Sequence, residues 1–204
     1  VGHGAEAVKS YFHGQSDITF ATQAEQLGTG HALLQALPYC DNSESTLVLL
    51  GDVPLIRTET LQKLITASGG NVGLLTVLLD NPTGYGRIVR KNGAVEAIVE
   101  EKDASAEQKA IREVNTGIMV LPTERLEKWL GELGNQNAQG EYYLTDVIAR
   151  AVSEGVPVNT ALASEATEVE GVNNKIQLAT LERAYQLEKA RQLMADGVTV
   201  VDPS

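Results

Sequence analysis

Residues 47–52 read Leu-Val-Leu-Leu-Gly-Asp, an apolar run that ends in glycine and aspartate shortly before Pro54. A short continuous run of aliphatic side chains is typical of a strand that is buried on both faces of a sheet. In open α/β sheets, ligands bind beyond the carboxyl ends of such strands. Asp52 stands at that position, where its carboxylate either binds a divalent cation or caps a turn, and this motif alone favours neither.

Strands and helices alternate along the chain on both sides of this stretch. The predicted strands are Ile18–Ala21, Thr46–Leu50, Val72–Leu79, Gly86–Val89, Ala94–Glu100, Thr116–Leu121, Val156–Ala161 and a short one at Val198–Val201. The turn signal Lys91-Asn92-Gly93 predicts a hairpin between two of them. The alternation predicts a three-layer α/β/α, Rossmann-like fold around a mostly parallel sheet, with the hairpin and Glu101–Glu113 inserted at one end.

The spacing of apolar residues predicts the helices. Two sets fall at intervals of three and four residues, which places each set on one helical face. The sets are Leu126, Trp129, Leu130 and Leu133, and Leu144, Val147, Ile148 and Ala151. Further helices are predicted at Ala32–Leu37, Thr60–Ala67 and Lys175–Ala195.

The composition of the 204 residues indicates one domain with an aliphatic core, since 43% are hydrophobic but only 4% aromatic. The net charge of −11 argues against general nucleic-acid binding, which requires a basic face. Cys40 is the single cysteine, which excludes an intrachain disulfide. With no secretory signal and no apolar run of the roughly 18 residues that a membrane span needs, we expect a soluble protein, and the single cysteine fits a reducing cytoplasm.

Residues 23–32 read Gln-Ala-Glu-Gln-Leu-Gly-Thr-Gly-His-Ala and lead into a predicted helix. Gly28 and Gly30 let the backbone approach a flat ligand closely, beside the exposed N–H groups of the helix start. The amide of Gln23 offers both a donor and an acceptor, as reading a pyrimidine edge requires. A lone Gly-Thr-Gly triplet is most often an ordinary turn, and His31 fits a helix start better than a catalyst.

Polar residues also interrupt apolar segments further along the chain. They are Thr83-Gly84-Tyr85-Gly86-Arg87, Glu100 and Asn115-Thr116-Gly117. Carboxylate and amide side chains bond sugar hydroxyls in pairs, and glycine backbones allow a sugar to approach. Taken singly, each group is better explained as turn chemistry, and Glu100 as part of a charged loop.

Residues 168–174, Glu-Val-Glu-Gly-Val-Asn-Asn, precede the long predicted helix. Asn is a preferred N-cap residue, which explains the Asn pair without any ligand. An Asn side-chain oxygen is also a neutral ligand that can accompany one carboxylate on Mg²⁺.

Seven segments between Gln23 and Asn174 occur here in the order found in one family. They are Gln-Ala-Glu-Gln-Leu-Gly-Thr-Gly-His-Ala, Leu-Gly-Asp-Val-Pro-Leu, Pro-Thr-Gly-Tyr-Gly-Arg-Ile, Glu-Lys-Asp, Asn-Thr-Gly-Ile, Gln-Gly-Glu-Tyr-Tyr-Leu-Thr-Asp and Glu-Gly-Val-Asn-Asn. The chain resembles the uridylyltransferase half of bacterial bifunctional N-acetylglucosamine-1-phosphate uridylyltransferase/glucosamine-1-phosphate acetyltransferases. The Gly-Asp and Asn-Thr-Gly elements are shared with sugar nucleotidyltransferases generally, whereas the last two segments are more specific.

This resemblance implies a nucleotide-diphospho-sugar transferase fold and a reaction between UTP and N-acetylglucosamine-1-phosphate. The products are UDP-N-acetylglucosamine, a precursor of peptidoglycan and lipopolysaccharide, and pyrophosphate. The resemblance also implies Mg²⁺ held by Asp52 and Asn173, and a uracil contact by Gln23, Gly28 and Thr29. The other implied substrate-binding residues are Gly51, Gly86, Glu100, Asn115, Tyr143, Thr145 and Asn173, with Gly86, Glu100 and Asn115 on the sugar side.

Two parts of the family pattern do not occur in these residues. One is the first strand with its Leu-Ala-Ala-Gly-x-Gly-Thr-x-Met loop and Pro-Lys element, which cradle the triphosphate. The other is the C-terminal left-handed β-helix that carries the acetyltransferase and the trimer contacts. We therefore expect residues 1–204 to be one partial pyrophosphorylase domain of a homotrimeric protein, with little or no activity alone.

Two other interpretations stay open from the sequence. The chain could be another sugar-1-phosphate nucleotidyltransferase with a different base or sugar, which a nucleotide panel would reveal. It could also be a non-catalytic domain that binds nucleotide sugars, which Mg²⁺-dependent binding without turnover would favour.

Overall fold

The computed structural model describes residues 1–40 and 43–203, and these form one sheet with helices on both faces. The strands are β1 (Ser45–Val48), β2 (Val72–Leu78), β3 (Arg87–Lys91), β4 (Ala94–Val99), β5 (Glu113–Pro122) and β6 (Val158–Leu162). The helices are α1 (Ala5–Tyr11), α2 (Thr29–Ala36), α3 (Thr58–Ser68), α4 (Ala106–Lys109), α5 (Thr123–Gly131), α6 (Asp146–Ser153) and α7 (Lys175–Ala195). Single 3-10 turns lie at Leu37–Tyr39 and Ala166–Glu168.

β5 is the central strand of the sheet, whose order is β4-β3-β5-β2-β6. It pairs antiparallel with β2 along one edge, and with β1 and β3 along the other. β6 lies beside β2 in the parallel direction. The sheet is therefore mixed where the sequence predicted a mostly parallel one.

The reversed direction of β5 follows from the inserted hairpin. β3, β4 and α4 form an excursion that returns the chain to the end of β2, where Leu78 pairs with Glu113. A strand that starts where its neighbour ends must run antiparallel to it. The predicted hairpin itself is confirmed, since β3 and β4 pair through a turn in which Asn92 and Gly93 both have positive φ.

Two buried clusters fill the space on the two faces of the sheet. On one face, α5 and α6 bury the side chains that their spacing predicted, including Trp129 and Ile148 at 0% exposure. On the other face, α3 buries Leu64 against Leu75 and Val120 of the sheet. This arrangement confirms the predicted three layers, with helices on both faces of the sheet.

Two predicted strands are not strands in the structure. Residues 18–21 have no regular secondary structure, although the nitrogen of Val1 donates to the Ala21 carbonyl at 2.6 Å. Residues 198–201 follow α7 as irregular backbone, and Val201 is 95% exposed with no strand beside it in the described chain. In both segments, β-branched residues suit a strand, but a ladder needs a neighbour that extends along them.

The long helix α7 begins and ends where the sequence predicted. Asn174 is its N-cap, because the side-chain oxygen of Asn174 accepts from the backbone N–H groups of Ile176 and Gln177 at 3.0 Å each. Among the described residues no helix is both long and apolar enough to cross a bilayer.

Candidate functional site

A cavity of about 410 Å³ opens where five segments of the chain meet. Its walls come from residues 50, 52 and 53 after β1, 83–86 before β3, Glu100 after β4, 115–117 within β5, and residues 169, 171, 173 and 177 at the start of α7. Apart from the Gly-Thr-Gly stretch, every polar motif singled out in the sequence contributes to this wall. The sheet therefore gathers at one place residues that are far apart in the sequence.

Asp52 and Asn173 face the same point in this cavity. A Cβ atom built on Gly171 would lie 3.2 Å from Oδ2 of Asp52 and 3.8 Å from Nδ2 of Asn173. The two loops are also joined directly, since the N–H of Val172 donates to the carbonyl of Asp52 at 2.8 Å. The predicted convergence of a carboxylate and an amide is therefore present in the fold.

The two adjacent asparagines have different tasks. Asn174 caps α7, whereas Asn173 is exposed, lines the cavity and leaves its side chain out of the cap. The backbone N–H of Asn173 donates to Oε1 of Gln177 at 2.7 Å, which fixes the start of the helix against the loop. The N-cap explanation thus accounts for Asn174 and leaves Asn173 free for a ligand.

Gly86, Glu100 and Asn115 form another part of the cavity wall. The N–H of Asn115 donates to the carbonyl of Gly86 at 2.8 Å. A Cβ on Gly86 would lie 2.9 Å from Cγ2 of Ile98 and 3.3 Å from each carboxylate oxygen of Glu100. Only glycine therefore lets the backbone pass this close to the carboxylate without displacing it.

Two polar groups on this wall are held ready to bond a ligand. Asn115 is 8% exposed, and its Oδ1 atom is buried without a hydrogen-bond partner in the described part of the chain. Burial raises the pKa of the Glu100 carboxyl, and the negative charges of Asp146 and Asp103 raise this pKa further. The Thr145 hydroxyl, which donates to the carboxylate at 2.9 Å, lowers the pKa in part. Buried acceptors of this kind gain from a ligand that brings hydroxyl donors.

A second, more apolar cavity of about 350 Å³ continues from the first. The two share Leu50, Glu100, Asn115 and Gly117, so they form one cleft. The remaining walls of the second cavity are mostly aliphatic and come from α2, the end of β1 and residues 144–145; they include Leu33 and Val48, and Thr29 and Thr145 add hydroxyls. Such walls suit a flat ring with a few polar edges.

The Gly-Thr-Gly stretch borders this second cavity as the start of α2. Gly28 has φ 107°, and a Cβ there would lie 2.7 Å from the Tyr142 carbonyl oxygen, so a larger residue does not fit. The Thr29 hydroxyl accepts from the N–H of Leu144 at 3.1 Å. The Gln23 amide donates to the Gly28 carbonyl at 3.1 Å, which anchors Gln23 beside the loop.

Four of the predicted site residues do not line this cleft. Gln23 and Gly28 lie behind Thr29 in the loop, and Gly51 is exposed. Tyr143 lines an adjoining cavity of about 470 Å³ that meets the cleft at Glu100. Burial raises the pKa of Tyr143, and its hydroxyl accepts from Nε2 of Gln139 at 3.0 Å.

Three further residues line the cavity although the sequence analysis assigned them no individual role. Gly171 leaves room between Asp52 and Asn173, and Gln177 fixes Asn173 from one helical turn further on. Tyr85 lies in the cavity wall, where burial raises the pKa of its hydroxyl. The negative charges of Glu170 and Asp52 raise this pKa further. The i, i+4 spacing of Asn173 and Gln177 is the signal that could have identified Gln177.

The arrangement can bind a ligand with a polar and an apolar part. No group of three or more His, Cys, Asp or Glu side chains suited to a metal occurs in residues 1–40 and 43–203. The pair of one carboxylate and one amide instead matches a cation that takes its other ligands from phosphate and water. An anionic ligand facing Asp52 and Glu100 requires such a cation to offset repulsion.

Comparison with known proteins agrees with this geometry. A family model described as Nucleotidyl transferase matches residues 3–167. Proteins called "Bifunctional protein GlmU" from Stutzerimonas stutzeri and Ralstonia nicotianae are 60% and 58% identical over 206 residues. These matches cover 100% of this chain and 45% of each relative, so the chain spans less than half of their length.

A solved structure shows the same fold at low identity. A UDP-glucose pyrophosphorylase complexed with UDP-glucose matches with a TM-score of 0.67 and 15% sequence identity, over 90% of this chain and 78% of that one. The likeness confirms the predicted nucleotide-diphospho-sugar transferase fold, built here on a mixed sheet.

Proposed function

Because this chain belongs to the nucleotidyl transferase family, we propose that it forms the uridylyltransferase site that joins UTP and N-acetylglucosamine-1-phosphate. The products are UDP-N-acetylglucosamine and pyrophosphate. The observation that carries the proposal is the convergence of Asp52 and Asn173 at one end of a cleft whose other walls hold Glu100 and Asn115. The high identity to the two bifunctional relatives along this whole chain supports it.

The uracil ring belongs in the apolar half of the cleft in this proposal. Leu33 and Val48 provide apolar walls, and Thr29 lies at the start of α2. Gln23 and Gly28 shape the loop that carries Thr29, since the Gln23 amide donates to the Gly28 carbonyl. Gly51 follows β1 and offers backbone groups to the ribose side.

The sugar belongs in the polar half. The carboxylate of Glu100 and the Oδ1 of Asn115, which has no partner among the described residues, are acceptors for sugar hydroxyls or an amide N–H. Gly86 permits close approach, and Thr145 holds the Glu100 carboxylate in place. Tyr143 closes the far side, next to Glu100.

The residues present fit Mg²⁺ as the cofactor. Asp52 supplies the carboxylate and Asn173 the amide oxygen, and Gly171 leaves space between them. A magnesium ion held there would neutralise phosphate charge at the reacting α-phosphorus. The protein itself contributes by aligning the sugar phosphate with that phosphorus for in-line attack and by excluding water. No nucleophilic side chain is required for this transfer.

Calorimetric titration of the chain with a panel of nucleotide sugars tests this function. With Mg²⁺ present, UDP-N-acetylglucosamine should bind more tightly than UDP-glucose, GDP-mannose or dTDP-glucose, and EDTA should weaken that binding. The variant Gly86→Ala should lose about tenfold or more in affinity, because its methyl group displaces Glu100. Gly131→Ala is the matched control, since a Cβ there would meet no described residue from elsewhere in the chain within 4 Å.

The outcomes of this titration separate the alternatives. Equal affinity for all bases, or tighter binding of another sugar, would assign the site to a different nucleotidyltransferase. Binding that ignores EDTA would contradict the proposed cation site.

We propose further that the complete protein carries the acetyltransferase activity, forms a homotrimer and works in the cytoplasm. The word "bifunctional" in the names of the two relatives, of which this chain covers 45%, supports a second activity. Analytical ultracentrifugation of the complete protein would test the trimer.

A further inference from the structure

Glu168 is a buried carboxylate whose hydrogen bonding is incomplete. Its side chain is 2% exposed, and it lies in the 3-10 turn Ala166–Glu168. One oxygen, Oε1, accepts from the backbone N–H of Arg57 at 3.3 Å. The other oxygen, Oε2, is buried without a hydrogen-bond partner among the described residues. Burying an acceptor in this way costs stability, so the position calls for a function.

The hydrogen bond from Arg57 to Glu168 joins the two loops that carry the proposed magnesium ligands. One loop runs from Asp52 to Arg57, which is the N-cap of α3. The other runs from Glu168 to Asn173 at the start of α7. The loops are fixed to each other at one end by the Val172 N–H to Asp52 carbonyl bond of 2.8 Å, and at the other end by Glu168.

The interior between these two fixed points is apolar. Val53 and Val169 are 5% and 3% exposed and belong to the same buried cluster. Apolar packing brings the loops together but does not fix how far one slides along the other. The two hydrogen bonds supply that register, because each tolerates only a narrow range of distance and angle.

We propose that Glu168 is a positioning residue that sets the separation of Asp52 and Asn173 and thereby the affinity for the divalent cation. The inference rests on the proposed function, since it assigns the same cation to that pair. Residues that orient metal ligands without touching the metal typically account for about 10- to 100-fold of metal affinity.

The side chain of Arg57 is not the source of this effect. Its guanidinium pairs with Glu165 at 3.7 Å and with Glu188 on α7 at 3.4 Å, and both partners are well exposed. Exposed ion pairs of this length contribute little. The link to Glu168 uses the backbone N–H, which a change in the Arg57 side chain or its ion-pair partners leaves in place.

Mn²⁺ binding, followed by electron paramagnetic resonance with UDP-N-acetylglucosamine present, tests the inference. Glu168→Ala should bind Mn²⁺ about 10- to 100-fold more weakly than the native chain. Glu168→Gln should recover near-native affinity, because its amide oxygen still accepts from the Arg57 N–H. Glu165→Ala is the matched control: it removes a carboxylate from the same turn region, and its Mn²⁺ affinity should stay unchanged.

Each result supports or overturns the inference. A Glu168→Ala chain that melts earlier but keeps native Mn²⁺ affinity would make Glu168 merely structural. Equal losses in Glu165→Ala and Glu168→Ala would also overturn it. If the native chain binds no Mn²⁺ with the nucleotide sugar, the proposed function fails first and this inference fails with it.

A second measurement needs no variant and so does not depend on Glu168→Ala folding. Hydrogen exchange of the Arg57 amide reports directly on its bond to Glu168. Adding Mn²⁺ and UDP-N-acetylglucosamine should slow this exchange, because a cation that holds Asp52 to Asn173 also holds the two loops together. An unchanged exchange rate in the presence of bound Mn²⁺ would show that the two positions are uncoupled.

Discussion

The carboxylate of Glu100 lines the cleft and accepts a hydrogen bond of 2.9 Å from the Thr145 hydroxyl. Burial is the largest of the effects that raise its pKa. A partly buried charge that faces a cavity is unfavourable for the empty protein but useful to a ligand with hydroxyl donors. Stability and binding therefore place opposite demands on this residue.

A substitution at Glu100 should separate these two demands. Because the pKa of Glu100 is raised in the folded state, its contribution to stability is full below the usual Glu pKa and is lost as the pH rises through the folded value. Glu100→Gln carries no charge and still accepts from Thr145. It should melt at a higher temperature than the native chain at neutral pH, and this gain should disappear below about pH 4.

Calorimetric melting across the acid range, combined with titration of UDP-N-acetylglucosamine, measures both effects. The same Glu100→Gln variant should bind the nucleotide sugar about tenfold more weakly. The exposed Glu107→Gln on α4 serves as the control and should show neither change. A melting difference that does not vary with pH would refute the role of burial at Glu100.

The helices α5, α6 and α7 could be predicted at the scale of elements because each depends on local signals. Trp129 and Ile148 mark buried faces by their spacing, and Asn174 marks the start of α7. The Asn92–Gly93 turn gave the hairpin for the same reason. These features are decided by residues a few positions apart, so the sequence reveals them.

The direction of β5 and the register of the site loops could not be predicted in this way. The direction of β5 depends on where the inserted hairpin returns the chain, which no local pattern records. The resemblance implied that Asp52 and Asn173 hold one cation, but the place of Gly171 between them and the hydrogen bond from Arg57 to Glu168 are tertiary features. They result from packing between segments that are distant in sequence.

Helix α3 provides a test of the packing on its face of the sheet. Leu64 is 0% exposed within the cluster on that face, whereas the neighbouring Ile65 is 45% exposed. Leu64→Ala should cost about 2–5 kcal/mol of unfolding free energy, because it removes buried methyl groups and leaves a cavity. The matched change Ile65→Ala should cost less than about 1 kcal/mol.

Urea unfolding of the two α3 variants measures this difference. Leu64 shares its cluster with Val53 and Val169, which lie in the two loops that carry Asp52 and Asn173, so Leu64→Ala should also weaken Mg²⁺-dependent binding. Equal losses of stability in both variants would mean that the α3 face is packed differently from the structure.

At the scale of the whole molecule, the net charge of −11 affects the affinity of the chain for charged ligands. Nucleotide sugars are anions, so the overall field opposes their approach and the cation site must offset it locally. The expected salt dependence is therefore the reverse of that in nucleic-acid binding, where added salt lowers the affinity of a basic protein for phosphate.

The salt dependence of nucleotide-sugar binding tests this electrostatic balance. Between about 0.01 M and about 0.1 M ionic strength, the Debye length falls from about 30 Å to about 10 Å. At saturating Mg²⁺, affinity for UDP-N-acetylglucosamine should hold steady or rise over this range. A steep fall, measured by calorimetry in sodium chloride, would indicate that a basic surface dominates binding.

The most direct test of the account is to locate the cation in crystals of the chain grown with Mn²⁺ and UDP-N-acetylglucosamine. Anomalous scattering from Mn²⁺ gives its position independently of the protein coordinates. The account predicts one strong peak bonded to a carboxylate oxygen of Asp52, to the side-chain oxygen of Asn173 and to the nucleotide phosphates. A peak that touches only one of these side chains, or that lies elsewhere while the nucleotide sugar is bound, would contradict it.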